Sequence, residues 1–573
     1  MFNSKQTNLF NFTEQTSEST VEKDPFIRSC IKTDVIPSGN LSDKLKTTGS
    51  DFVDQFASAS RYRSLRTYAE ISADMEALWE KDPLLTLKLM VYFRLITREC
   101  KFTDGSITES VQIGQGLVHE SIMRMLWLVI NHPKVFIANV NVFIAAGSWK
   151  DFITMMKYDA MYNGYKHSFD WDILIQLLVY GLINPETTGF VRKYLPTIRS
   201  NKQCKTIAAQ ATNIVGKAVC HSLFGNKDQE NPGKLYKMYR TLKIEGSSHE
   251  WQQLISQRRF LEINFDTIAG RALFKLVNSN FLENQGLIQK YEEWILNQPV
   301  AKYTGYVYEL FTEVITKGKE LPSYKKHTVN AQFRGLVEKA KQDMAETDRG
   351  LLCVLDTSGS MSSPALGTDI KSYDVAKTMT LFFSELLEGR FHGHYFEFSS
   401  STILRTFKGS SPVDKYLSTQ SRITENTNFS SVFDKLIEIR KQGVLEEDFP
   451  SGILCISDGE FDYSYRTDTI ATEIVFARKK LLAGGFSEKF VENFKIILWD
   501  IPNSYYGKPV TKFEALADDS SAIHIGGLDG SVIQFLIGKK VKEKETSVSQ
   551  LPKTSEELFL AAMDQEILNL LQV

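Results

Sequence analysis

Leu351-Leu352-Cys353-Val354-Leu355-Asp356-Thr357-Ser358-Gly359-Ser360-Met361 decides the fold of the C-terminal part of this 573-residue chain. Five apolar residues run without a break, and an aspartate, two serines and a glycine follow at once. A short apolar run bounded by turn residues reads as a strand covered on both faces, as in a parallel sheet. The pattern recurs downstream. His394–Phe398 and Ile403–Phe407 read as a strand pair, and Gly452–Ile456 is an apolar strand ending in Ser457-Asp458-Gly459. Lys495–Trp499, Ala522–Ile525 and Ser531–Ile537 complete the set. Helical periodicity lies between them at Ser372–Leu387, Phe429–Lys441 and Ala471–Leu482. Strands alternating with helices predict a doubly wound α/β domain over residues 346–540.

In an open parallel sheet, ligands bind beyond the carboxyl ends of the strands, where the loops diverge. Asp356, Ser358 and Ser360 fall in the loop after the first strand, Asp458 follows another central strand, and Thr427 sits in the loop Thr424–Asn428 before a helix. All five should converge on one end of the sheet. Two carboxylates and three hydroxyls are small, hard oxygen donors that suit Mg²⁺ or Mn²⁺, ions that keep several waters. Such a set leaves a coordination position for an acidic group of a protein partner. Asp and Ser before a helix also serve as plain caps and Asx turns. The agreement of three separate loops is what favours the metal.

Asp356-Thr357-Ser358-Gly359-Ser360 resembles the D-x-S-x-S loop of the metal-ion-dependent adhesion site (MIDAS) in von Willebrand factor A domains, the integrin I domain among them. Thr427-Asn428 and Ser457-Asp458-Gly459 are similar to that family's second and third loops. The resemblance implies a von Willebrand A-type fold with one divalent cation on Asp356, Ser358, Ser360, Thr427 and Asp458.

Upstream, residues 51–345 read as a succession of helices. Arg61–Trp79 is amphipathic, and Asp82-Pro83 opens a helical run to Cys100, proline at the first position after an acidic cap being a start signal. Val118–Ile130, Val135–Ala146, the helix opened by Ser148-Trp149-Lys150-Asp151, Asp172–Ile183 and Lys205–Leu223 continue the series. Lys234–Leu242, Trp251–Ser256, Thr267–Phe281 and Gln289–Leu296 follow. Helix hairpins that cannot bury their apolar faces alone stack into repeats, so the expectation is a HEAT-like helical-repeat domain ahead of the α/β domain. Trp127, Trp149 and Trp171 are expected core anchors. Residues 1–50, rich in Ser, Thr, Asn, Lys and Glu, read as a flexible arm. Residues 541–573 read as a linker and a C-terminal amphipathic helix, Leu558–Leu571, preceded by the capping-box pattern Thr554-Ser555-Glu556-Glu557. That helix is expected to dock on its own protein.

His132-Pro133, Gly147-Ser148-Trp149-Lys150-Asp151, Arg192-Lys193-Tyr194-Leu195-Pro196 and Tyr239-Arg240-Thr241-Leu242 resemble an uncharacterised family of plants, fungi and phages that joins such a helical region to a C-terminal A domain. The order of parts is also similar to the Ro autoantigen (TROVE) family, in which a ring of helical repeats binds misfolded or small noncoding RNA and the A domain closes the ring. That resemblance implies a ribonucleoprotein.

Between Arg192 and Lys243 the bases Arg192, Lys193, Arg199, Lys202, Lys205, Lys237 and Arg240 stand out among others, while the acids there are Asp228 and Glu230. Tyr194, Tyr236 and Tyr239 are interleaved, as in surfaces that stack single-stranded bases while cations track phosphates. The plain alternative is a solvated helix face. His392 and His394, two apart on a strand, lack the further ligands a zinc site needs.

The bulk numbers set the frame. Net charge is −2, the hydrophobic share 42% and the charged share 24%, values of an ordinary globular chain. Six scattered cysteines form no C-x-x-C pair, so a reduced, cytoplasmic protein is expected, virion-associated if phage-encoded. Leu84–Ile96 and Ile173–Ile183 are too charged or too short for a span of about 20 apolar residues. No nucleophile elbow, phosphate loop or acid–base pair appears, so a binding protein rather than an enzyme is expected. Two functions follow. One is a Ro-like scaffold for small noncoding or single-stranded RNA whose A domain engages a partner through the cation. The other is a protein-interaction module without RNA, such as an adaptor for an AAA+ ATPase or a phage assembly component.

Overall fold

The computed structural model describes residues 35–37, 43–45, 50–58, 66–100, 110–162, 171–225, 232–244, 249–303, 305–344, 349–365, 368–419, 428–458, 470–501, 514–515, 522–526, 559–560 and 562–573. A helical N-terminal region precedes a mixed sheet in the C-terminal part. The expected arm over residues 1–50 and the strand Ser531–Ile537 lie outside the described residues, apart from the short antiparallel pair β1 (Val35–Pro37) and β2 (Asp43–Leu45).

The helical region is set by its caps. Thr67 and Glu70 form a reciprocal capping box ahead of the helix Tyr68–Lys81. Asp82 then accepts from the amide of Leu85, and Pro83 takes the first position of the helix Pro83–Arg94. This helix ends sooner than the expected run to Cys100. From Leu95 the backbone is extended, and β3 (Ile96–Cys100) pairs antiparallel with β4 (Ser110–Gln115). Ile96 and Thr97 are β-branched and favour the strand once a partner is present. The expected single helix Val135–Ala146 is likewise two, Pro133–Ala138 and Val140–Ala146, broken at Asn139.

The Gly147–Asp151 motif has a local cause. The Asp151 carboxylate accepts from the amide of Ser148 (3.1 Å), as a helix cap does, and grips the Arg94 guanidinium through Nε (2.7 Å) and Nη2 (3.1 Å). A Cβ at Gly147 would stand 2.2 Å from Asp151 Oδ2, so glycine is required by the closeness of the ion pair. Trp127, Trp149 and Trp171 are all buried, and Trp171 Nε1 donates to Asp159 (2.7 Å).

The sheet has seven strands. They are β5 (Leu351–Asp356), β6 (His394–Phe398), β7 (Thr402–Thr406), β8 (Gly452–Ser457), β9 (Lys495–Asp500), β10 (Glu514–Ala515) and β11 (Ala522–Gly526), in the order β10-β11-β9-β8-β5-β6-β7. The central strands β11, β9, β8, β5 and β6 run parallel, and the edge strands β7 and β10 are antiparallel. Alternate residues of β5 serve two cores: Leu351, Cys353 and Leu355 on one face, Leu352 and Val354 on the other. The helices Ser430–Lys441, Ile470–Ala483 and Glu488–Asn493 cover the second face. The first is covered by Ser372–Leu386 and by two helices not singled out in the sequence, Val307–Lys317 and Ser323–Asp343. There Phe311 meets Phe333 (ring centroids 5.6 Å) and Tyr416 (5.4 Å).

The C-terminal segment packs against the N-terminal helices. Phe559, Met563, Ile567, Leu568 and Leu571 are buried in the same core as Phe52, Leu87 and Phe136. The helix expected over Leu558–Leu571 is interrupted at Asp564 and Gln565 and resumes at Glu566–Asn569. Among the described residues, no helix is long and apolar enough to cross a membrane.

Replacing Asp151 by alanine removes the Ser148 cap and leaves Arg94 charged and largely buried. The expected loss is about 3 kcal/mol or more, read as an earlier urea midpoint for the helical region by far-UV circular dichroism. A loss within about 0.5 kcal/mol, the usual range for surface positions, would contradict this account of the motif.

Candidate metal centre

The parallel strands β5, β6, β8 and β9 bring their carboxyl ends to one edge of the sheet. Asp356 closes β5 and is fully buried, at 0% exposure. Its Oδ1 accepts from the amide of Ser358 (2.8 Å), and its Oδ2 accepts from Ser457 Oγ (2.5 Å) at the end of β8. The hydroxyls of Ser358 and Ser360 lie 3.1 Å apart. Thr357 anchors the turn by donating both its amide (3.1 Å) and its hydroxyl (3.0 Å) to the carbonyl of Phe398, the last residue of β6. Asp458, one residue beyond β8, is buried as well.

Of the five residues anticipated as ligands, Asp356, Ser358, Ser360 and Asp458 therefore sit at one sheet edge. Thr427 lies outside the described residues. Its neighbour Asn428 is tied to the same edge, donating its amide to the carbonyl of Ser399 (2.7 Å), directly after β6.

One acidic residue escaped the sequence reading. Asp500 ends β9 and pairs in register with Ser457 on β8, while Leu355 of β5 pairs with Ile456. Side chains two apart share a face of a strand, so Asp356, Ser457 and Asp500 form a buried row across three neighbouring strands. The available signal was an aspartate closing an apolar strand, Ile496-Ile497-Leu498-Trp499-Asp500, just as Asp356 closes β5.

The electrostatics of this edge are strained. Burial pushes the Asp356 carboxyl up to about 7, and the nearby Asp458 carboxylate adds to the rise, while hydrogen bonds from Ser457 and Ser358 act against it. A divalent cation would relieve both the burial cost and the repulsion. The donors fit one. Hydroxyls on adjacent corners of an octahedron with bonds near 2.1 Å stand about 3.0 Å apart, close to the Ser358–Ser360 separation of 3.1 Å. Among the described residues, no group of three or more His, Cys, Asp and Glu side chains is gathered to hold a metal. A cation here would rely on hydroxyls beside Asp356 and Asp458.

The basic patch is arranged differently from its sequence reading. Lys193, Arg199, Lys202, Lys205, Lys237 and Arg240 lie on or between the helices Thr188–Tyr194, Ile207–Phe224 and Pro232–Ile244, which pack together. Arg199, Lys202, Lys205, Lys237 and Arg240 are exposed and form no ion pair among the described residues. Arg192 is half-buried. Tyr239 is buried in the helical core and cannot stack a base, which corrects that expectation. Lys243 is occupied too, donating to the carbonyl of Leu195 and the hydroxyl of Thr197, both at 2.6 Å. His392 and His394 each bond a backbone carbonyl through Nδ1 at 2.9 Å.

Comparison with known families adds two matches. Residues 38–213 match a family described as a domain of unknown function, DUF2828, and residues 351–567 match a second domain of unknown function, DUF7788. No curated protein matches the chain. The sheet-edge residues Asp356, Ser358, Ser360, Ser457, Asp458 and Asp500 fall in the second match, and much of the basic patch falls in the first or just beyond it.

For Asp356 the folded carboxyl titrates near 7 and the unfolded one near 3.8. Between those values the folded state holds the extra proton, so stability falls as pH rises through this window. In EDTA, the parent chain is expected to lose melting temperature from about pH 4 to about pH 7 more steeply than Asp356→Asn. Parallel pH profiles in differential scanning fluorimetry would show that the Asp356 charge is not strained.

Proposed function

We propose that this chain is a non-enzymatic binding protein whose C-terminal part is a von Willebrand A-type domain. In it Asp356, Ser358, Ser360, Thr427 and Asp458 hold one Mg²⁺ or Mn²⁺, and an acidic group of a protein partner completes the coordination. The observation that carries this reading is the convergence of Asp356, Ser358, Ser360 and Asp458 on one buried sheet edge, where a raised carboxyl pKa marks uncompensated negative charge. The cation supplies Lewis acidity toward a carboxylate. The chain supplies a rigid cradle: Thr357 holds the turn on β6, and Ser457 orients Asp356. Few protein charges face the ion, which leaves it electrophilic enough to take a partner's carboxylate.

Immobilised full-length chain is expected to capture its partner in Mg²⁺, to release it in EDTA, and to lose it in a Ser358→Ala/Ser360→Ala variant of unchanged circular dichroism. A partner that stays bound through EDTA and through the double substitution would remove the metal from the interaction.

The helical region, read as HEAT-like repeats, is proposed to bind small noncoding or single-stranded RNA through the basic residues from Arg192 to Arg240, giving a Ro-like cytoplasmic ribonucleoprotein. The exposed cations Arg199, Lys202 and Lys205 ahead of Ile207–Phe224, and Lys237 and Arg240 on Pro232–Ile244, support this. Burial of Tyr239 and internal use of Lys243 favour the second reading, a protein-interaction module without RNA. The two readings separate in one titration. Charge reversal at Lys193, Arg199 and Arg240 should weaken RNA binding at least tenfold and lower the salt slope by about 1 for each lost phosphate contact. Unchanged affinity and slope would select the module without RNA.

A further inference from the structure

We propose that the first helices of the chain form a peptide-binding groove whose ligand is the chain's own segment 559–573. Phe559 stacks on Phe52 (ring centroids 6.2 Å) and meets Phe56 edge-on (5.4 Å). Met563, Ile567, Leu568 and Leu571 insert into the core that these helices build, so the segment contributes apolar anchors at spaced positions. Polar contacts fix its register. Lys88 Nζ donates to Asn569 Oδ1 (2.6 Å) and to the carbonyl of Met563 (3.4 Å). The amide of Asn139 reads both main-chain groups of Gln572. Its Nδ2 donates to the Gln572 carbonyl (2.6 Å), and its Oδ1 accepts from the Gln572 amide (2.8 Å).

Asn139 is placed to do this because the helix breaks there, between Pro133–Ala138 and Val140–Ala146. Main-chain pairing combined with pockets for spaced side chains is how receptors read short peptides. The charge pattern agrees. Residues 556–573 carry Glu556, Glu557, Asp564 and Glu566 but neither lysine nor arginine, and the groove offers Lys88.

The contact also joins the two family matches, since the groove lies within residues 38–213 and the match over residues 351–567 runs into the tail. Between β11 and the tail, residues 539–550 read Lys-Lys-Val-Lys-Glu-Lys-Glu-Thr-Ser-Val-Ser-Gln, a polar stretch with little to bury. A ligand joined covalently to its receptor meets it at an effective concentration that reaches the order of 1 mM. A tail of micromolar intrinsic affinity is then almost fully seated and still exchangeable.

The test uses the full-length chain with a protease site inserted after Lys544. After cleavage, the tail is expected to co-elute with the body in gel filtration. A fluorescein-labelled peptide of residues 551–573 should replace it with a low-micromolar Kd by anisotropy. The same peptide carrying Leu568→Asp should bind at least 30-fold more weakly, and Asn139→Ala in the body should weaken the parent peptide at least tenfold at unchanged circular dichroism. Failure of the labelled parent peptide to enter the cleaved chain would overturn the proposal. So would loss of helical signal on cleavage alone, which would make the tail an inseparable part of the core.

Discussion

A carboxylate at the end of a central parallel strand is surrounded by protein on every side, and the structure must answer for its charge. Asp356 meets that demand in part through the hydroxyl of Ser457 and the amide of Ser358. The remaining strain, which burial and Asp458 impose, is what the rest of the edge is organised around. The turn after β5 is pinned to β6 by Thr357, and the residue after Thr427 is pinned beside it at Ser399. Loops far apart in sequence are thus tied to one place before any ligand is considered. Hydroxyl donors beside two close carboxylates suit a hard divalent ion.

Much of the sheet was legible because continuous apolar runs ending in Asp, Ser or Gly have few other readings. The strands at Leu351, His394, Gly452, Lys495 and Ala522 and the helices between them lie within a residue or two of their expected bounds. Asp500 was not legible. A single aspartate after an apolar run carries no motif, and its place in the row with Asp356 and Ser457 follows only from strand order and register. Tyr239 failed for the opposite reason. Aromatic residues interleaved with lysines read as a stacking surface, yet helical periodicity turned that ring inward onto the core. In the helical region, Asp82-Pro83 gave a reliable start, whereas the Thr67-Glu70 box that opens Tyr68–Lys81 went unread in a pattern taken to run from Arg61. Helix ends were harder, because Leu95 onward is drawn into a hairpin by pairing that local propensity does not encode.

The motifs that marked the helical half now have separable causes. Gly147 through Asp151 is an ion-pair and capping device, in which glycine admits a carboxylate that holds Arg94 and starts a helix. The region Arg192–Lys243 divides into inward residues that build the core and outward cations that face solvent. The tail adds a physical link between the ends of the chain, with Phe559 and Leu568 buried among helices that begin near Asp51.

In the function proposed above, the edge holding Asp356 and Asp458 takes one divalent cation. Titration of the full-length, EDTA-treated chain with Mn²⁺, followed by the loss of the free-ion electron paramagnetic resonance signal, measures this directly. One tight equivalent is expected, displaced by Mg²⁺ and absent in Asp458→Ala. No stoichiometric binding, or binding that survives the substitution, would contradict it.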